Sequence, residues 1–466
     1  MPPRLLHYSD VENVYDAPER AGRLAGRVAD LRADDAIVAG SGDDTSPGVL
    51  ALVTEGAQAL DFFRAVDPDV ETFGNHEFDH GRAALRRLVD ESPQQWVSAN
   101  VWTDCEAGER FGSDVGVAPT AVVEAGDASV GFVGVTTART PSINPAASAL
   151  DFTDPVAAAR DALADLDADY RVVLSHLGRG DEELARAVDA DVILGGHVPT
   201  ERCERIDGTV LTRPGDGGSV VLEVDLDADG EAGRHEVTRH PVADAPVHEG
   251  VAEAMRDRLA EAGLSEVVGR VERPVDRSET TLFGGECRLG NFVADAYRWE
   301  TDAEVGLQNS GGVRTGDALD GDVTAAELVS VTPFEERVVV AEVPGSALRA
   351  AFEWAASPDL GFAEAGWWHA QVSGAEIAWD PEARAVESVR VGGDPVDPDR
   401  TYSVGLSDYV LHTDDEFPSL RESHRVAEAG IQYEVLVEYA RETGLSPEIE
   451  GRIAEVGQRS RRGRSG

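Results

Sequence analysis

Short apolar runs alternate with amphipathic stretches along the first half of the chain. Eight runs rich in Val, Ile, Leu and Ala predict strands, at 4–7, 36–39, 70–73, 96–99, 130–135, 171–174, 192–194 and 220–224. Between several of them, apolar positions at helical spacing predict amphipathic helices, for example over 19–31 and 155–166. Strands interleaved with helices indicate a layered α/β or α+β domain.

Polar residues stand at the ends of five of these predicted strands. In α/β folds the carboxyl ends of the strands carry the ligand-binding loops. The residues with metal-binding or acid–base chemistry in these loops are Asp10, Glu12, Asp43, Asn75, His76, Asp79, His176 and His197. Each of them alone could be an ordinary turn former or a hydrogen-bonded polar residue. Together, imidazole and carboxylate groups suit Zn, Mn, Fe, Co or Ni, so the ordered set predicts a metal site.

The rest of the chain predicts a second domain. Residues 1–245 form the first predicted domain, and the helical pattern within 246–274 is interpreted as an interdomain linker. Residues 275–456 again alternate helices, strands and turns, and they are expected to form a smaller α/β domain. Residues 457–466 are rich in arginine and are expected to be a disordered tail.

The charge of the chain excludes several classes of partner. The 466 residues include 88 acidic and 41 basic residues, all arginine, for a net charge of -47. Such a surface repels phosphate backbones and anionic lipid, so nucleic-acid and membrane binding are not expected. The composition is typical of cytoplasmic proteins in salt-accumulating cells, where screening suppresses carboxylate repulsion. The chain contains no 18-residue apolar run and no leader pattern, so we expect a cytoplasmic protein.

The ordered motifs resemble those of a known family. The matching elements read LLHYSD at 5–10, GDD at 42–44, GNHEFD at 74–79, SHLG at 175–178 and GGH at 195–197. Their order and spacing are similar to those of the 5′-nucleotidase and cyclic-nucleotide phosphodiesterase family. The resemblance implies a calcineurin-like metallophosphoesterase domain, a four-layer β-sandwich flanked by helices, followed by a smaller nucleotide-binding domain.

The resemblance also implies a pair of divalent metal ions, with Mn, Zn, Co or Mg as candidates. Asp43 would bridge the two ions. Asn75, His176 and His197 would complete one site, and Asp10 would belong to the other. Two cations close together activate water and hold phosphate oxygens during in-line attack, and they reverse the negative field of an acidic protein.

A catalytic pair follows from the same resemblance. His76 would steady the phosphoryl group or protonate the leaving oxygen, and Asp79 would orient the His76 imidazole.

Two departures from the family pattern fall on one metal site. The first loop usually reads Asp-x-His and here reads Asp10-Val11-Glu12, while the last usually reads Gly-His-x-His and here reads Gly196-His197-Val198-Pro199. Glu12 could act as a carboxylate ligand, which would favour harder ions such as Mn or Mg. Alternatively, the Asp10 site binds its metal weakly or not at all.

The second predicted domain carries candidate substrate-binding residues. The segment NSGGVR at 309–314 is similar to a family element in which Asn309 and Arg314 would hold phosphate or ribose. By the same match, Phe334 and Phe417 would sandwich the base. The family's Gly-Gly-Asp-Gly before the second aromatic is replaced here by 413–416, TDDE, which puts bulk and negative charge beside the expected base.

The expected function is metal-dependent release of phosphate from nucleoside monophosphates. Hydrolysis of cyclic nucleotides or nucleotide sugars stays open as an alternative, as does cleavage of sulfur esters. A one-metal nucleotide-binding protein without turnover is the non-enzymatic alternative. The small-molecule substrate is the expected partner, and the chain is expected to be a monomer or a small homo-oligomer.

Overall fold

The computed structural model describes residues 2–227, 234–358, 367–413 and 416–456. The chain divides into two compact units, residues 1–262 and 263–466. The predicted disordered tail, 457–466, lies outside the described residues.

The first unit contains all eight strands that the sequence predicted, and seven further short ones. The strands are β1 (Arg4–Tyr8), β2 (Ala36–Gly40), β3 (Val70–Thr72), β4 (Gln95–Val97), β5 (Val101–Asp104), β6 (Glu109–Arg110), β7 (Thr120–Ala125), β8 (Ala128–Thr136), β9 (Asp151–Phe152), β10 (Tyr170–His176), β11 (Val192–Gly195), β12 (Arg202–Ile206), β13 (Thr209–Arg213), β14 (Val220–Asp225) and β15 (Glu236–Pro241). Most of them belong to two six-stranded sheets, in the orders β15-β14-β1-β2-β3-β4 and β12-β13-β11-β10-β8-β7.

The two large sheets pack face to face. Buried side chains from both, including Leu5 and Ile37 of the first and Phe132 and Leu174 of the second, form one apolar core. Strands β1 to β4 are mutually parallel, as are β8, β10, β11 and β13. Buried parallel strands need apolar residues on both faces, which is why β2 and β11 are continuous apolar runs.

Helices cover the outer faces of the sandwich. The helices are α1 (Pro18–Leu31), α2 (Val49–Thr54), α3 (Ala59–Val66), α4 (Gly81–Glu91), α5 (Thr140–Ile143), α6 (Pro155–Ala164), α7 (Asp181–Ala187) and α8 (Glu249–Glu261). Helices α6 and α7 bury apolar residues against the second sheet. On the first sheet, Phe62 of α3 packs its ring edge-on against Tyr8 of β1 at 5.6 Å. The predicted four-layer arrangement of a sandwich between helices is confirmed.

The sequence of α1 explains its position. Pro18 occupies the first helical position, where its missing N–H costs no hydrogen bond. Ala21, Leu24, Ala25 and Val28 repeat at three- and four-residue spacing and are fully buried. The helix therefore presents one continuous apolar stripe to the unit.

The segment that was interpreted as a linker, 246–274, is divided between the two units. Its helix is α8, which packs against α1 and α3 within the first unit. Its last residues, from Val267, belong to a strand of the second unit. A linker with the bounds 246–274 stays a prediction.

The second unit mixes strands and helices as the sequence predicted. Its strands are β16 (Val267–Val275), β17 (Val305–Gln308), β18 (Leu319–Thr324), β19 (Arg337–Pro344), β20 (Gln371–Ser373), β21 (Ala375–Asp380), β22 (Ala385–Val391), β23 (Asp394–Pro395), β24 (Thr401–Ser407), β25 (Arg425–Ile431) and β26 (Ile453–Glu455). Its helices are α9 (Glu279–Phe283), α10 (Arg288–Thr301), α11 (Ala325–Val329), α12 (Gly345–Ala355), α13 (Tyr409–His412) and α14 (Gln432–Thr443).

A five-stranded sheet in the order β20-β17-β24-β19-β25 organises this unit. Helix α12 and the four-stranded sheet β23-β22-β21-β26 contribute to one apolar core with it, which includes Phe352, Trp368 and Trp379. Helix α10 packs against β17, β20 and β24 and against α14. Over the described residues of both units, no helix is long and apolar enough to cross a membrane.

Candidate metal centre

Five loops of the first unit bring polar side chains to one edge of the sandwich. Asp10 and Glu12 follow β1, Asp43 follows β2, Asn75 follows β3, and His176 ends β10, while His197 follows β11. Parallel strands carry their carboxyl ends to the same edge, so residues distant in sequence become neighbours.

Asp43 lies at the centre of these residues. Its Oδ2 is 2.9 Å from Nε2 of His176, and its Oδ1 accepts a 2.7 Å hydrogen bond from the backbone N–H of His76. Ligand atoms of Asp43, His176 and His197 lie within 4.8 Å of one another, and so do those of Asp10, Glu12 and Asp43. The structure thus forms two groups of metal-ligating atoms that share Asp43.

The two histidines of the first group differ in charge. Burial disfavours charge on His176, but Asp43 outweighs burial and raises the pKa of His176 to about 10. Nδ1 of His176 donates to the carbonyl oxygen of Ser41 at 2.8 Å, which directs Nε2 toward Asp43. Burial and the neighbouring His176 lower the pKa of His197 to about 4, so His197 is neutral, the form that binds metals.

Asn75 supports the fit of a cation in this group. Its side-chain Oδ1 is buried and, among the described residues, has no hydrogen-bond partner. An unpaired buried acceptor costs about 1–3 kcal/mol unless a ligand satisfies it. A divalent cation bound by Nε2 of His176 would also displace the proton there, because metal and proton use the same lone pair. The donor set of Asp43, Asn75, His176 and His197 therefore fits a divalent metal ion.

The second group consists of carboxylates only. Burial, with Asp43 as a further cause, raises the pKa of Asp10 to about 6, and burial with Asp43 and Asp10 raises the pKa of Glu12 to about 8. Asp10 accepts hydrogen bonds from Ser9 Oγ at 2.6 Å and from the backbone N–H of His197 at 3.0 Å. Oxygen ligands crowded in this way fit a hard divalent cation, whose charge offsets their repulsion.

The backbone at these ligands is in a conformation that costs energy. Asp10, Glu12, Asp43 and His197 have φ values between +49° and +72°, in the left-handed region. Each such non-glycine residue costs on the order of 1–3 kcal/mol, which surrounding contacts must offset. Gly74 is required beside them, because a Cβ at this position would lie 2.1 Å from Oδ1 of Asp43. The loop backbone therefore places the metal-ligating side chains at a cost in local conformational energy.

His76 and Asp79 form the contact that the sequence predicted. Nδ1 of His76 is 2.9 Å from Oδ2 of Asp79, and Asn144 donates a 2.8 Å hydrogen bond to Oδ1 of the same carboxylate. Burial disfavours the imidazolium, but the Asp43 and Asp79 carboxylates raise the pKa of His76 to about 10. The side chain of His76 is 37% exposed, so a ligand can reach its ring.

Several residues that support the loops were not predicted. The buried carboxylate of Glu77 accepts backbone hydrogen bonds from Asp43, Asp44 and Gly74, at 2.8, 2.7 and 2.6 Å. Glu77 could have been singled out because it lies inside the GNHEFD motif. Asn144 carries no comparable sequence signal, since it is 65 residues from Asp79.

A buried ion pair lies behind His176. Arg213 Nη2 is 2.6 Å from Oδ2 of Asp181, whose other oxygen accepts a 2.7 Å hydrogen bond from Ser175 Oγ. Ser175 directly precedes His176 on β10, so this pair steadies the strand end that carries the imidazole. No motif in the sequence marks the pair of Arg213 and Asp181.

The predicted substrate residues of the second unit differ in exposure. Asn309 and Phe417 are buried, whereas Arg314 is exposed and its guanidinium lies 4.7 Å from the centre of the half-buried Phe334 ring. In the described structure, Asn309 donates to Glu416, and the Phe417 ring contacts Trp354 and His369. A base sandwich between Phe334 and Phe417 stays a prediction.

Comparisons with known proteins match both units. The family model for calcineurin-like phosphoesterases matches residues 3–201, and that for the C-terminal domain of 5′-nucleotidases matches residues 267–422. A trifunctional nucleotide phosphoesterase protein of Bacillus subtilis is 26% identical over 97% of this chain, which spans 35% of that protein's length. Human 5′-nucleotidase is 24% identical, over 96% of this chain and 90% of that protein.

The similarity extends to three-dimensional structure. The crystal structure of a 5′-nucleotidase precursor from Thermus thermophilus superposes with a TM-score of 0.73 at 26% identity, covering 98% of this chain and 100% of that one. Sequence and structure comparisons thus agree over nearly the whole chain.

Proposed function

Since the chain belongs to the metal-dependent phosphoester hydrolases that join a calcineurin-like phosphoesterase domain to a 5′-nucleotidase C-terminal domain, we propose that it releases phosphate from nucleoside 5′-monophosphates. The observation that carries the proposal is the position of Asp43, which belongs to both groups of ligand atoms and also accepts a hydrogen bond from His76. Metal ligands and a candidate acid are therefore adjacent.

Two divalent ions are proposed for these groups, chosen from Mn, Zn, Co and Mg. Asp43, Asn75, His176 and His197 would hold one, and Asp10, Glu12 and Asp43 would hold the other. When bound, such ions supply Lewis-acid chemistry, since their charge offsets the charge that develops on phosphate and water oxygens. The all-oxygen group is the harder of the two sites, so Mn or Mg suits it better than Zn.

His76 is proposed to steady the phosphoryl group or to give a proton to the leaving oxygen. Its Nδ1 is used by Asp79, so Nε2 is the nitrogen that faces substrate in this role. Asp79 fixes the ring orientation and, with Asn144 bonded behind it, is itself fixed. A positioned acid of this kind contributes roughly 10²–10⁴-fold to rate.

In the second domain, Arg314 and Phe334 are the proposed substrate-binding residues, whereas Asn309 and Phe417, which the resemblance also implies, are buried in contacts within the domain. Arg314 supports this best, because an exposed guanidinium offers paired donors to phosphate, and its ring contact with Phe334 holds it in place. We further propose a monomer or a small homo-oligomer that binds no nucleic acid or membrane, on account of the net charge of -47. A cytoplasmic location stays a prediction.

A metal-by-substrate experiment tests the function. The full chain is loaded with Mn, Zn, Co or Mg at high salt, phosphate release from AMP is measured, and metal content is determined by mass spectrometry. We expect two equivalents of metal and turnover with at least one ion. His76→Ala should lower kcat by about 10²–10⁴-fold with metal content unchanged, because the general acid is lost. The matched control is His240→Ala, which removes a histidine of β15.

The alternatives give different results in the same experiment. One equivalent of metal and no turnover with any ion would contradict the proposal and leave a nucleotide-binding protein. Cleavage of a cyclic nucleotide or a nucleotide sugar in preference to AMP would keep the metal chemistry and change the substrate. Preference for a sulfur ester would likewise change only the group that is cleaved.

A further inference from the structure

His369 occupies an aromatic slot in the second domain. Its imidazole stacks against the rings of Phe283 and Phe417, with centroid distances of 5.6 and 5.9 Å and interplanar angles of 18° and 26°. Aromatic rings nearly parallel to a flat heterocycle are the arrangement that binds a nucleobase by stacking. Here the heterocycle is part of the chain.

Glu416 holds the imidazole in this slot. Its Oε2 is 2.8 Å from Nε2 of His369 and accepts a second hydrogen bond, of 2.9 Å, from the side chain of Asn309. The side chains of His369 and Glu416 are 0% and 8% exposed, so water screens this contact little. A buried carboxylate with two donors is costly to move, because moving it leaves those donors unpaired.

The remaining surfaces of the predicted binding residues are covered as well. Trp354 packs against the Phe417 ring at 4.8 Å, and Phe417 has no exposed surface. Asn309 Oδ1 accepts a 2.8 Å hydrogen bond from Gln308, while its amide donates to Glu416. Both residues are therefore committed to contacts within the protein.

The backbone indicates that this arrangement is specifically stabilised. Phe417 has a φ of +46°, in the left-handed region. For a bulky residue this conformation is unfavourable, and it persists only where neighbouring contacts over-determine it. The contacts that do so here are the rings of Trp354 and His369 and the hydrogen bonds of the preceding Glu416.

We propose that His369, held by Glu416, fills the face of Phe417 on which a base would stack, and that the enzyme consequently selects its substrate by phosphate and sugar with little contribution from the base. Its substrate class is then phosphate monoesters of hydroxylated sugars, with and without a base. The inference rests on the proposed phosphate release and extends its substrates beyond nucleoside monophosphates. Arg314 and Phe334, whose guanidinium and ring centre lie 4.7 Å apart, are the proposed contacts for the phosphate and sugar.

Two substrates that differ only in the base test this inference. The kcat/KM of the metal-loaded full chain is measured for AMP and for ribose 5-phosphate. Stacking of one base changes affinity by about fivefold to 150-fold, so a ratio within about threefold is expected if the slot is filled. A preference for AMP of more than about tenfold in the wild-type chain would overturn the inference.

Variants of Glu416 test whether this carboxylate is what keeps His369 against the Phe417 ring. Glu416→Gly removes the acceptor that holds His369, so we expect the AMP to ribose 5-phosphate ratio to rise about tenfold as the Phe417 face becomes accessible. Glu416→Gln keeps an acceptor for His369 and should keep the wild-type ratio. Glu422→Gly, in a neighbouring short helix, is the matched control. Equal ratios in Glu416→Gly and wild type would contradict the assigned role of Glu416.

A binding measurement separates this inference from the proposed function. Adenosine carries a base and ribose but no phosphate, and its binding is measured by calorimetry without turnover. We expect adenosine to bind Glu416→Gly about tenfold more tightly than wild type. Tight adenosine binding by the wild-type chain would overturn the inference even if phosphate release is confirmed. If neither AMP nor ribose 5-phosphate is hydrolysed, only the proposed function is contradicted. Adenosine binding still tests the inference in that case.

Discussion

The metal-ligating loops of the first domain and the aromatic slot of the second differ in how their buried carboxylates are paired. In the loops, carboxylates crowd together and the buried Oδ1 of Asn75 has no partner among the described residues. In the slot, Glu416 accepts hydrogen bonds from Asn309 and from Nε2 of His369, while Nδ1 of His369 is buried without a partner among the described residues. Both regions use left-handed backbone at bulky residues, so strain is common to them.

The difference shows what distinguishes a prepared site from a closed one. Strain alone does not indicate a ligand, since Phe417 is strained and also fully covered. Unsatisfied acceptors and mutually repelling carboxylates do indicate one, because only an added cation offsets their cost. By this criterion the loops, which combine both features, are prepared for a cation, whereas in the slot the Glu416 carboxylate is already paired with two donors.

The largest expected effect comes from Asp43→Asn, which removes a charge shared by both groups of ligand atoms. We expect turnover to fall by more than the roughly hundredfold that the loss of an outer partner causes, and metal content to decrease at both sites. Phosphate release and metal analysis check this. Asp35→Asn, at a partly exposed ion pair with Arg4, is the control. Retention of both metals would show that Asp43 is not shared and would weaken the comparison.

A smaller loss is expected for Glu77→Gln. The glutamine amide keeps one acceptor oxygen, but its NH2 group cannot accept, so the backbone hydrogen bonds that the two carboxylate oxygens now receive from Asp43, Asp44 and Gly74 cannot all be kept. Because the loops then lose their fixed position, metal affinity and turnover should each fall by about 10–100-fold. Metal titration and steady-state kinetics measure this. The matched control is Glu223→Gln, at a half-buried carboxylate of β14 that contacts Arg4 and His240; equal losses in the two variants would show a general effect of replacing a carboxylate.

The smallest effect on turnover is expected for Phe417→Leu. If the slot is closed, Phe417 acts as a core residue, and its loss should lower the free energy of unfolding by about 1–3 kcal/mol. The KM for AMP should change less than threefold, within about 0.6 kcal/mol. Denaturant unfolding and kinetics measure the two quantities. Unchanged stability together with a strongly raised KM would show that Phe417 stacks on the substrate base. The slot would then be a binding site, as the metal-ligating loops are.

Much of the first domain could be predicted from sequence because its signals are local. All eight predicted strands are present, and the polar loops follow them at the predicted positions. The contact of His76 with Asp79 spans three residues, so the motif itself specifies it. The fold predicted from resemblance to the family was confirmed, while roles of individual residues stay predictions.

The supporting contacts could not be predicted because they join distant segments. Asn144 reaches Asp79 across 65 residues, and His369 reaches Glu416 across 47. No periodicity in the sequence relates the members of either pair. The packing of α8, the helix within 246–274, against α1 and α3 could not be predicted either, since an amphipathic pattern does not specify the surface it covers.

By itself, the sequence determined which polar side chains follow which strands. It therefore also determined which types of metal ligand meet at one edge of a parallel sandwich. Packing decided which of those groups are left without partners and which are satisfied internally. The physical reason is that residue type sets which hydrogen bonds or metal bonds a side chain can form. Burial and long-range neighbours then decide whether its partner is another protein group or a ligand.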